Sequence, residues 1–86
     1  MTHNNELDIL IAGNEQEARD IFFEWLSIRF FNKTSTQLSP KQRKCIDDLS
    51  VDFGDAVIQA FHTQTQVVPQ VIARIDQYYR EFLSCN

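Results

Sequence analysis

Pro40 and Pro69 are the only prolines in the chain, and each stands at the head of a segment whose apolar residues recur with helical spacing. Proline holds φ at about −65° and has no N–H, so it fits the first turn of a helix and breaks an interior one. Ser39-Pro40-Lys41-Gln42 is a strong start. Ser39 can cap, Pro40 occupies the first helical position, and Gln42 completes a capping box. Val68 precedes Pro69 and is biased away from the helical region, so Pro69 opens another helix. The polar stretches 32–39 and 63–67 read as the breaks before these two starts. Three main helices follow, at about 15–32, 40–62 and 69–84.

The segment before residue 15 is ambiguous. Gly13-Asn14 interrupts it, and Asn14 with Glu17 has capping-box spacing. We read a short N-terminal helix at about 5–12. The apolar run 7–12 also suits a buried strand, but its only β-like partner, Gln66-Val67-Val68, is short and ends at a proline. The expected fold is therefore all-α, a small helical bundle, with residues 1–86 as a single helical domain.

Each helix has an apolar stripe at 100° per residue. On 69–84 it is Val71, Ile72, Ile75, Tyr78, Tyr79, Phe82 and Leu83, with Asp76 and Arg80 as a supporting pair four apart. On 40–62 it is Cys45, Ile46, Leu49, Phe53, Ala56, Val57 and Ala60. On 15–32 the expected buried stripe is Ile21, Phe22, Trp25, Leu26 and Ile28. Phe23, Leu26 and Phe30 then form a second seam, with Phe31 off to another side. The middle helix has a weaker second face of Val51, Gly54, Ile58 and Phe61, where Gly54 would let another backbone come close. Phe23, Phe30 and Phe31 are more than the single stripe a small bundle needs, and left in water these three would form a sticky patch.

The surplus directs the functional reading towards contact. We expect a small acidic interaction module (a regulator, inhibitor or accessory subunit) that binds a protein partner or forms a homodimer. Phe23, Leu26 and Phe30 would anchor one seam, and Val51, Gly54 and Ile58 the other. The competing expectation is that 7–12 covers Phe23 and Phe30 from within the chain.

Other chemistries find less support. A net charge of −4 and a pI near 4.9 oppose general nucleic-acid or anionic-membrane affinity. The alternative reading, a nucleic-acid-associated regulator, rests on Lys33, Lys41, Arg43 and Lys44 around the 32–39 loop and a helix start. Asp47 and Asp48 follow at once and weaken it. Asp48, Asp52 and Asp55 rise on one helix face and read as solvated, without the oxygen count of a divalent-cation site. His62 lies near a helix end and suits a structural or capping role. Cys45 reads as a small core residue, and Cys85 is 40 positions away with no metal-knuckle spacing. No phosphate-cradling loop, nucleophile elbow, zinc motif or dinucleotide fingerprint occurs. No enzyme, cofactor, metal or small-molecule substrate is expected. No run of about 18 apolar residues and no basic leader are present, so a cytoplasmic location is the expectation.

Overall fold

The computed structural model describes residue 7, residues 9–67 and residues 69–84. Among them are three helices, α1 (Glu15–Phe31), α2 (Pro40–Thr63) and α3 (Pro69–Ser84), one 3₁₀ turn at Ser35–Gln37, and no strand. The fold is a small all-α bundle.

Local chemistry sets the helix ends. Asn14 Oδ1 accepts the Glu17 N–H at 2.9 Å and starts α1. The expected capping box is only half made, because Glu17 Oε1 accepts instead from the Gly13 N–H at 2.6 Å. At α2 the box is complete. Ser39 Oγ accepts the Gln42 N–H at 3.2 Å, and Gln42 Oε1 accepts the Ser39 N–H at 2.9 Å. Both helices end on a left-handed residue that is not glycine, Asn32 (φ 54°) and Gln64 (φ 56°). After α2 the Thr65 N–H reaches the Ala60 carbonyl and the Gln64 N–H that of Phe61. This is the Schellman arrangement, with glutamine where glycine is usual.

The buried face of α1 differs from the expected one. Ala18, Phe22, Leu26 and Phe30 point into the core at intervals of four, while Ile28 is 52% exposed and Ile21 and Trp25 are only half-buried. Residues four apart form one continuous ridge on a helix surface. That ridge meets Ile46, Leu49, Phe53, Val57 and Ala60 of α2, the stripe the periodicity picks out. α1 and α2 are the closest-packed pair.

α3 reaches this pair largely through aromatic rings. The Phe30 ring lies 5.0 Å from Tyr79 and 6.0 Å from Phe82, Phe31 lies 5.5 Å from Phe82, and Phe53 lies 5.7 Å from Tyr78. Ile75 of α3 is fully buried in the same core. Asp76 does not serve as a helix-surface partner of Arg80. It takes the Arg29 guanidinium of α1, with Nε donating to Oδ1 at 2.7 Å and Nη2 to the same oxygen. Arg29 also covers the Trp25 ring, with Cζ 4.9 Å from its centre. The side chain of Leu83 lies outside the described residues.

The short helix expected at about 5–12 is corrected. Its described residues, 7 and 9–12, form no helix. Residues 10 and 11 make a turn, closed by the Ala12 N–H to the Ile9 carbonyl at 3.1 Å. Leu7 and Ile9 are both buried while Leu10 and Ile11 face out. A helix would set residues 7 and 9 about 200° apart, so only an unwound chain can send both inward. The rest of that expected helix lies outside the described residues.

α2 presents opposite sides to its surroundings. Cys45, Leu49, Asp52 and Phe53 lie beside Tyr78 and Phe82 of α3. Asp47, Ser50 and Gly54 are displaced from these by about 150° at 100° per residue and border a groove against α1.

Candidate functional site

The groove between α1 and α2 has a volume of about 800 Å³. One wall is α1, with Gln16, Arg19, Asp20 and Phe23. The other is α2, with Asp47, Ser50, Val51, Gly54 and Asp55. Hydrogen bonds fix one end. Glu24 accepts from the Ser35 N–H at 3.1 Å and from the Ser35 hydroxyl, while Arg43 Nη2 donates to the Ser35 carbonyl at 2.8 Å. The Arg43 guanidinium lies 5.6 Å from the centre of the half-buried Phe23 ring. The loop, the arginine and the ring therefore lie against one another at this end of the groove.

Val51 stands on the α2 wall and is 78% exposed. Gly54, one turn on, is buried without any close backbone neighbour. A side-chain carbon placed there would meet only Arg19 Nη1, at 3.9 Å. The chain's own packing does not require a glycine at this point. Gly54→Ala is thus expected to stabilise the protein by about 0.5–1 kcal/mol, the ordinary helix-interior difference, read as a higher urea midpoint. A lower midpoint would mean that the groove floor cannot accept even a methyl group. Ser50 Oγ is buried with no hydrogen-bond partner among the described residues. An unpaired buried hydroxyl carries a desolvation cost, so Ser50→Ala should be neutral or stabilising by up to about 1 kcal/mol.

The structure redistributes the six expected contact residues. Phe23, Val51 and Gly54, drawn from both proposed seams, line this one groove. Leu26 (0% exposed) and Phe30 (6%) belong to the chain's own core, which corrects their assignment to a contact surface. The four-residue ridge of α1 carries them inward beside Phe22. Ile58 is half-buried against the core and does not line the groove. The expected internal cover, 7–12, supplies Leu7 and Ile9 to the core. Sequence inspection missed Asp47 as a wall residue. The signal was its place in the row Arg43, Asp47, Val51, Asp55, spaced four apart along one line of α2.

Of the basic cluster, Lys33 and Lys41 are exposed, Arg43 is engaged with Ser35 and Phe23, and Lys44 pairs with Asp48 at 3.8 Å. Asp48, Asp52 and Asp55 are exposed, and no group of three acidic, cysteine or histidine side chains among the described residues is placed to hold a metal ion. His62 Nε2 meets Glu15 Oε2 at 2.5 Å and ties the end of α2 to the start of α1. Burial, with a smaller effect from the Asp48 carboxylate, pushes the Cys45 thiol up from its ordinary pKa. A thiol held protonated is a poor nucleophile. Among the described residues no helix is long and apolar enough to cross a membrane. No protein-family model, curated protein or solved structure matches the chain.

Proposed function

We propose that the chain is a small helical protein–protein interaction module, a regulator, inhibitor or accessory subunit, acting by occupying a partner surface through the α1/α2 groove. The observation that carries this reading is Val51, 78% exposed in the middle of α2, which lines one groove with the half-buried ring of Phe23 and with Gly54. A single exposed valine is ordinary on a protein surface. A valine that shares a groove with a half-buried aromatic ring and a glycine offers a partner's apolar group a place to leave water. Arg19, Asp20, Asp47 and Asp55 around it supply a polar rim.

The test compares the tagged chain with Val51→Arg, recovered from its native cells. Val51 is exposed, so the variant should melt within about 4 °C of the parent, as surface substitutions in a domain of this size do. The expected result is a defined partner retained by the parent and reduced about tenfold or more with the variant. Equal recovery by both chains would overturn the assignment of the groove.

A further inference from the structure

We infer that the occupant of the groove is a basic amphipathic helix, with an apolar anchor set against Phe23 and Val51 and two Lys or Arg side chains, two turns apart, reaching Asp47 and Asp55. This rests on the docking reading above and adds the chemistry of the partner.

Asp47 and Asp55 stand four residues before and four after Val51, on one inclined ridge of α2 and about 80° apart around its axis. At 1.5 Å per residue they are about 12 Å apart along the helix axis, the rise between positions i and i+8 of an incoming helix. Both are exposed, and neither has an ion-pair partner among the described residues. Neither arginine lining the groove forms an ion pair with them. Arg43 is turned to the Ser35 carbonyl and the Phe23 ring, and Arg19 lies over Gly54. The rim therefore presents carboxylates on either side of an apolar centre, in a chain of net charge −4. A slot between two helices accepts the ridge of a third, read as an apolar anchor with flanking charges.

The same charges decide against a second copy of this chain. A two-fold pairing sets this patch against its own copy, where four acidic side chains lining the groove outnumber the two arginines, Arg19 and Arg43. A basic helix has the opposite sign and gains both from steering at a distance and from paired contacts on arrival.

The experiment uses three synthetic peptides of about 18 residues, long enough to be helical, with one shared Leu/Ala stripe. They differ only at two positions eight apart, which carry Lys, Gln or Glu. Each is titrated into the full ¹⁵N-labelled chain, following the amides of Phe23, Val51 and Gly54, with light scattering on the chain alone. The Lys peptide is expected to shift these three amides and to bind about tenfold or more tightly than the Gln peptide, with the Glu peptide weaker still. Raising salt from about 50 mM to about 500 mM should remove most of that advantage. Asp47→Asn/Asp55→Asn should lower the Lys peptide to the level of the Gln peptide without changing the melting temperature. Equal binding of all three at the groove overturns the charge assignment and leaves the docking reading standing. Absence of binding by any of them, while the Val51-sensitive partner is still recovered, overturns the helical occupant. A dimer that dissociates in Val51→Arg overturns it in favour of a second copy.

Discussion

Phe30→Asp is expected to leave the chain unfolded at room temperature, without the cooperative thermal transition of the parent and with collapsed dispersion of its amide spectrum. The ring lies among Tyr79, Phe82 and Phe31 and is the main link from the α1/α2 pair to α3. Truncating a buried phenylalanine costs about 3–5 kcal/mol. A domain of this size has about 5–15 kcal/mol in all, and the smallest domains lie at the low end. Aspartate adds the cost of desolvating a carboxylate with no cation facing it among the described residues. Phe30→Leu is the control. It keeps most of the apolar volume and should fold with a lowered midpoint. A folded Phe30→Asp that differed from the parent only in association would return the ring to the surface and dismantle the aromatic link between α1 and α3.

Ile9→Ala is expected to destabilise by about 2–4 kcal/mol, as large as a substitution within a helix, although residue 9 lies in none. Its side chain is fully buried, beside Leu7 and the three-helix core. Ile11→Ala is the internal control, two residues on and 74% exposed, and should change the urea midpoint by no more than about 0.5 kcal/mol. Similar losses at both positions would show that the segment acts through its backbone turn. A negligible loss at Ile9 would show that the core is complete without it.

These two sites mark where the sequence is readable and where it is not. Helix starts at Glu15, Pro40 and Pro69 follow from local chemistry, because a cap or a proline acts on its own few neighbours. The stripe of α2 is equally legible, since Ile46, Leu49, Phe53, Val57 and Ala60 lie within one arc. α1 is harder. It has apolar residues on most sides, so periodicity alone cannot choose between a face centred on Trp25 and Ile28 and the ridge that includes Phe30. Packing against α2 and the rings of α3 makes that choice, and those contacts are distant in sequence. Asp76 shows the same limit. Its helical neighbour Arg80 is visible in the sequence, whereas Arg29 lies 47 residues away. The candidate groove was half legible. Phe23, Val51 and Gly54 stand out as surplus to the core stripes, but that they share one groove, and that Asp47 and Asp55 flank Val51 there, depends on how α1 lies against α2.

The two flanks of α2 have a consequence for assembly. α3 packs on one flank of the α1/α2 pair, and the groove opens on the other. A helix docked as proposed above would touch α1 and α2 without displacing α3. Loosening the rings of Tyr79 or Phe82 should then lower the temperature at which the whole molecule comes apart. It should leave untouched the strength with which the intact molecule grips its guest.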